Sequence, residues 1–246
     1  MSELDDWSDH LSEEMRAVWP MLAKVVRGLD GSLVGGTALA IHLRHRVSFD
    51  LDFMTLRPFS GRRISGALAK QTEDIDVSLA EDDMMHATLC GVQVEVFFAP
   101  HRGDNPGFVR NIRPPTLIAG LPVASLPDLL ASKLDVVLYR PKLRDYIDLK
   151  AIDDGGSYCL EDGLLFHMHR YGTRFSSRDL ARIVDLLAEP GDLEEDGEFD
   201  AERDAALAYL RSRVPDLQNH LQHLRAAHPD PPVERSTHRK PLDPLD

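Results

Sequence analysis

The sequence predicts an α+β fold in which a strand-rich part precedes a block of helices, and three observations carry that expectation. Residues 47–54 (VSFDLDFM) alternate apolar and polar side chains, the period of a half-buried strand. Further strand-like runs lie near 75–80, 85–90 and 92–98, after a helical pattern at 60–70, whereas everything after residue 122 has helical spacing. Between the halves, Pro100, Gly103, Pro106, Gly107, Pro114, Pro115, Gly120 and Pro122 punctuate a long connection. The expected organisation is a first domain over 1–100, a connection over 101–122 and a helical domain over 123–226 that completes a cleft. A disordered tail, rich in proline and charge, is expected over 227–246.

Each element follows from its local pattern. Leu11, Met15, Val18, Leu22, Val25 and Val26 recur at near-helical spacing over 8–29, with Pro20 expected to kink that helix. A short apolar strand at 32–35 runs into Gly35 and Gly36, after which 37–44 resumes as a helix carrying Leu39, Ile41 and Leu43. In the 47–54 strand, Ser48, Asp50 and Asp52 share one face, while Phe49, Leu51 and Phe53 share the other and are expected to pack. A helix at 60–70 precedes the next strands, and the last of these, 92–98, is apolar except for Gln93 and Glu95. Helices are expected over 126–140, 143–153, 160–170, 176–188 and 201–213, the first opened by a Ser125/Asp128 capping box.

Composition narrows the function. A chain of 246 residues with 43% hydrophobic side chains can build a real core. The apolar runs fall short of a bilayer span, and the start MSELDDWSDH is acidic, so a cytoplasmic protein with no membrane association is expected. Cys90 and Cys159 have no paired spacing and suggest neither a disulfide framework nor a cysteine zinc site. The net charge of −13 argues against nonspecific adhesion to nucleic acid. It leaves room for a local basic rim from Arg44, Arg46, Arg57, Arg62 and Arg63. His167 and His169, two apart on a helix, cannot readily share a metal and are expected to be packing or surface residues.

Two carboxylates at i and i+2 on a rigid strand can share divalent cations, and hard oxygen ligands suit Mg²⁺ bound jointly with phosphates. Taken alone, Asp50 and Asp52 fit a solvated strand face better than a metal site. The Gly35-Gly36-Thr37 turn upstream alters that balance, because a helix N-terminus there can hold an anion, and one helix and a return bring it beside the aspartates. Glu95 interrupts an apolar strand, which is costly for an acid unless it faces a cleft, a cation or water. Lys133 and Arg140, seven apart on a helix, can both face a cleft and neutralise phosphate charge; a pair of solvated cations is the alternative. Asp148 can position Lys133, or pair at the surface with Arg144 four residues earlier. Asp145 is read as structural.

The segment LVGGTALAIHLRHRVSFDLDFMT at 33–55 resembles the core motif of the AbiEii/AbiGii-type nucleotidyltransferase toxins, within the polymerase-β-like superfamily. KLDVVLYRPKLRDYIDL at 133–149 resembles that family's later Lys-Leu and Arg-Asp-x-x-Asp-Leu elements. The resemblance covers roughly residues 30–155 and implies a polymerase-β-type domain with a mixed sheet followed by helices. It implies that Gly36 and Thr37 contact a triphosphate and that Asp50 and Asp52 hold Mg²⁺, with Ser48 on the same face; Lys133 and Asp148 carry over from the second block. Two ions are expected, with Mn²⁺ able to substitute, and a third carboxylate, for which Glu95 is the candidate, activates the acceptor. Arg46 either braces the aspartates or faces RNA. The implied reaction transfers a nucleotide from a nucleoside triphosphate to RNA, foremost the tRNA 3′ end, as the toxin of a pair with a separately encoded antitoxin. The alternatives are a small-molecule or protein hydroxyl as acceptor, or an inactive nucleotide- or partner-binding protein of the same fold.

Overall fold

Ser12 starts the first helix, α1 (Glu13–Arg27): its hydroxyl accepts the Met15 amide at 3.2 Å, with Glu13 and Glu14 in the first turn. This computed structural model describes residues 10–98, 111–140, 142–171, 177–191, 193 and 199–227. Met15, Val18, Trp19, Leu22 and Val26 form the buried stripe of α1, and the helix runs on through Pro20, which lies on the exposed face.

Strand β1 (Gly31–Val34) leads directly into α2 (Gly35–Leu43), and the chain returns as β2 (Asp50–Thr55), antiparallel to β1. Helix α3 (Gly61–Leu68) precedes a meander of β3 (Ile75–Glu81), β4 (Met84–Leu89) and β5 (Val92–Phe98), the last pairing parallel with β2. Leu51 and Phe53, Val92, Val94 and Val96, and Met85, Ala87 and Leu89 alternate onto one buried face, against which α1 and α3 pack. Each large side chain so buried contributes roughly 1.5–3 kcal/mol relative to exposure. The opposite face of β2, β5 and β4 stays accessible.

Residues 116–123 differ from the connection expected there. They form a hairpin, β6 (Thr116–Ile118) and β7 (Leu121–Val123), which extends the sheet to the order β3-β4-β5-β2-β1-β7-β6. Three-residue strands are too short to show a period; pairing makes them, through Leu33 opposite Val123 and the Ala124 amide bonded to the Leu33 carbonyl at 2.9 Å. The Trp19 indole donates to the Ile118 carbonyl at 3.2 Å and pins the hairpin to α1.

Helices α4 (Leu126–Val137), α5 (Leu143–Asp154), α6 (Leu160–Tyr171), α7 (Ser177–Ala188) and α8 (Asp200–Ala227) follow. Ser125 caps α4, and the buried Asp128 carboxylate accepts the Ile112 and Arg113 amides at 2.8 and 3.2 Å and the Arg170 guanidinium of α6. Helix α8 runs well past the expected end at 213. Leu217, Leu221 and Leu224 continue the buried stripe from Leu210, and packing outweighs the exposed Pro215. Arg213 clamps α8 down, reaching Asp153 of α5 at 2.9 Å and Glu161 of α6 at 2.7 Å. Residues 101–110 of the expected connection and 228–246 of the expected tail lie outside the described residues, as do 99 and 100 at the end of the expected first domain.

Candidate active site

The open face of the sheet is ordered in rows. Register sets Asp50 opposite Gln93 and Thr88, Asp52 opposite Glu95 and His86, and Met54 opposite Phe97 and Met84. These side chains floor a cleft of about 730 Å³, a size suited to a small-molecule ligand, walled by α4, the start of α5 and the end of α6. Asp50 and Asp52 share one face, as alternation required, but the alternation does not extend upstream. Strand β2 begins at Asp50, its last partner toward that end being Gln93, and Phe49 is 59% exposed where it was expected to pack. Ser48 is buried behind the cleft wall, and its hydroxyl donates to Asp50 Oδ1 at 3.0 Å, so it orients the carboxylate.

The Gly-Gly-Thr turn lies against the aspartates. Gly35 has φ +71°, and a Cβ there would stand 2.6 Å from Asp52 Oδ2; only glycine admits both the backbone and the carboxylate. A Cβ on Gly36 would meet Arg46 Nη2 at 2.2 Å. Thr37 does not line the cleft: it is buried, and its hydroxyl donates to the Asp50 carbonyl, fastening the start of β2 to α2. The hydroxyl proton is thus committed to a carbonyl 13 residues away rather than pointed at the cleft.

Asp148 is fully buried and also lies behind the wall. Its carboxylate takes a bidentate pair from Arg46, at 2.7 and 3.0 Å, and further contacts from His45 Nε2 at 2.7 Å and Lys133 Nζ at 2.7 Å. Burial alone would raise its pKa; the Lys133 charge and the hydrogen bonds from His45 and Arg46 outweigh burial and hold it well below the usual carboxylate range. Lys133 also donates to Asp145 Oδ1 at 2.6 Å, and the two carboxylates keep it charged despite burial. Asp148 thus makes no surface pair with Arg144. Arg144 turns instead toward Asp50 Oδ2, at 3.8 Å. Arg140 lines the cleft from the turn just past α4, exposed, and Glu95 lines it from β5 with its side chain 40% accessible.

Asp52 carries the electrostatic signature of the site. Burial, then repulsion from Asp50 and Glu95, pushes its carboxyl up to about 7 against the pull of Lys133 and Arg144. A desolvated carboxyl beside two others is a place where a cation relieves the strain. Among the described residues no three His, Cys, Asp or Glu side chains close into a metal cage. Mg²⁺ does not require one, since one or two carboxylates with phosphate and water complete its shell.

A family model described as nucleotidyl transferase AbiEii toxin, Type IV TA system, matches residues 30–236. The chain belongs to this AbiEii family. It is a nucleotidyltransferase, of a toxin family that belongs to a toxin–antitoxin system. Among solved structures it is similar to one described as a nucleotidyltransferase from H. pylori, at 19% identity and a TM-score of 0.42, covering 88% of this chain and 96% of that one. It is similar also to MenT4, a nucleotidyltransferase toxin from Mycobacterium tuberculosis, at 17% identity and a TM-score of 0.48, covering 92% of each chain. None of the curated proteins compared matches the chain.

Four residues that the structure brings to the cleft or to its supporting network are not among the candidates of the sequence analysis: Arg144, Asp145 and His86 line the cleft, and His45 bonds Asp148 behind it. Arg144 and Asp145 stand in the Arg-Asp-x-x-Asp element and His45 beside Arg46, so proximity to recognised positions was a usable signal. His86 had none, because only cross-strand register brings it to the site. His167 is fully buried beside Asp135, at 3.4 Å, in keeping with a packing role.

Proposed function

We propose that this AbiEii-type enzyme transfers a nucleoside monophosphate from a nucleoside triphosphate to the 3′ end of an RNA, foremost tRNA, in a Mg²⁺-dependent reaction that arrests growth until a separately encoded antitoxin relieves it. The observation that carries this reading is the convergence of Asp50, Asp52 and Glu95 on one cleft face, beside a glycine turn and the cations Arg46, Lys133 and Arg144. Asp50 and Asp52 are the ligands for Mg²⁺, two ions by expectation with Mn²⁺ able to replace them. When bound, the metal neutralises triphosphate charge and polarises the reacting phosphorus.

The protein's own groups do the rest. Gly35 and Gly36 keep the turn free of side chains so that phosphate oxygens reach its amides at the start of α2. Arg144 and Arg140 offer donors to the β- and γ-phosphates and to departing pyrophosphate. Lys133 and Arg46, fixed by Asp148, add preorganised charge without swinging to solvent. The acceptor hydroxyl attacks the α-phosphorus in line with the leaving oxygen and gives its proton to Glu95, so one P–O bond forms as another breaks. The first domain supplies the carboxylates and the helical part supplies Lys133, Arg140 and Arg144, while cytoplasmic tRNA is the substrate pool.

Incubating the protein with Mg²⁺, total tRNA and each α-labelled nucleoside triphosphate tests this reading. Label on tRNA, reduced at least about 10³-fold by Asp50→Ala, is the expected outcome. Label on protein or on a small molecule, with tRNA untouched, would reassign the acceptor.

A further inference from the structure

His86 is a side chain at this site for which the family motifs have no place. It stands on β4 directly opposite Glu95 of β5, which in turn stands opposite Asp52 of β2, so three strands put the three side chains in one row. His86 Nε2 lies 3.6 Å from Glu95 Oε1, just beyond hydrogen-bond length. That nitrogen is shielded from solvent and has no hydrogen-bond partner among the described residues, although the imidazole as a whole is 40% accessible. A shielded polar nitrogen aimed at a carboxylate needs only a small rotation to close on it. Contacts of this kind are often long in the empty enzyme and tighten when substrate binds.

Geometry says why Glu95 needs holding. The sheet order puts β1 and the glycine turn on one side of β2, and β5 then β4 on the other. If the triphosphate lies against the turn and Arg144, in-line displacement brings the acceptor hydroxyl from the β5–β4 side, where Glu95 and His86 stand. Glu95 is a flexible, partly exposed side chain repelled by its neighbour Asp52. Untethered, it would turn toward water and away from the incoming hydroxyl.

Resting on the reaction proposed above, we propose that His86 is a positioning residue: its Nε2–H donates to Glu95 Oε1 and holds the other carboxylate oxygen toward the acceptor hydroxyl, whose proton Glu95 takes as the α-phosphorus–oxygen bond forms and pyrophosphate leaves. His86 touches neither nucleotide nor acceptor. Its effect therefore falls on turnover rather than on nucleotide binding.

The test compares wild type, His86→Ala, His86→Gln, Glu95→Gln and the His86→Ala/Glu95→Gln double variant, with the acceptor that the wild type labels. His86→Ala should lower kcat at least 10-fold with the KM for nucleoside triphosphate unchanged, and His86→Gln, whose amide N–H reaches a similar point, should recover most of the loss. In the Glu95→Gln background, His86→Ala should cost less than 2-fold more, because the group it positions is already gone. Full activity in His86→Ala, or the same fold loss in both backgrounds, would overturn the proposal. If the wild type labels no acceptor, the reaction itself is misread, and ¹⁵N spectra of His86 decide the contact independently. A proton fixed on Nε2 in the wild type and released in Glu95→Ala supports the contact; identical spectra refute it.

Discussion

Asp52, a metal ligand in the proposed site, is held in the fold at a cost in stability. Its carboxyl is raised from 3.8 to about 7 in the fold, so between those values the folded chain holds a proton that the unfolded chain has lost. Stability from this group is therefore present at low pH and falls as pH rises through that window. At pH 8, without divalent cation, Asp52→Asn should stabilise the protein by about 1–3 kcal/mol, read as a higher denaturation midpoint. The gain should shrink at pH 4, and millimolar Mg²⁺ should narrow it at pH 8 by stabilising only the wild type. An equal gain at both pH values would show that Asp52 is not held at this cost. Gly35→Ala tests the turn: with φ +71° and Asp52 Oδ2 in the way, it should cost about 1–3 kcal/mol and most of the activity.

At the scale of elements, Asp148 is the knot that ties α5 to α4 through Lys133 and to the loop after α2 through Arg46 and His45. Asp148→Asn leaves two buried cations short of a counter-charge, so about 3–5 kcal/mol of stability should be lost in urea unfolding. A loss under 1 kcal/mol would mean the cluster has a water path that relieves it. This network also marks how far local pattern reaches. The β2 aspartates, the glycine turn and the α4 cap were legible because each is fixed within a few residues of itself. Thr37 and Asp148 had the right neighbourhood but a supporting place, since their partners are a carbonyl and side chains distant in sequence; Ser48 turns behind the wall because β2 begins only at Asp50. Phe49 failed because alternation holds only where a strand has a partner. The β6–β7 hairpin and the last half of α8 were hidden for a related reason: pairing to β1 and a leucine stripe outweigh proline signals that a sequence shows more loudly. The Glu95–His86 pairing exists only as register.

For the whole molecule, a net charge of −13 sets how an RNA could be held. Such a balance disfavours a broad basic surface, so an RNA acceptor, as proposed above, should be gripped through few phosphates, near Arg140 and Arg144 at the cleft. The KM for tRNA should then rise with salt with a log–log slope of about 1–2, rather than the steep dependence of an extended nucleic-acid binder. A slope above about 4 would point to a basic surface elsewhere. The sheet supplies the carboxylates and the helices supply the cations, and their meeting in one cleft is the basis for assigning nucleotidyl transfer to it. That assignment is tested most directly by giving the protein, Mg²⁺ and its acceptor the same nucleoside triphosphate labelled at either the α- or the γ-phosphate. Label retained on the acceptor from the α position alone, with pyrophosphate released and both lost in Asp50→Ala, is the result expected here. Transfer of the γ label, or α transfer undiminished by Asp50→Ala, would contradict it.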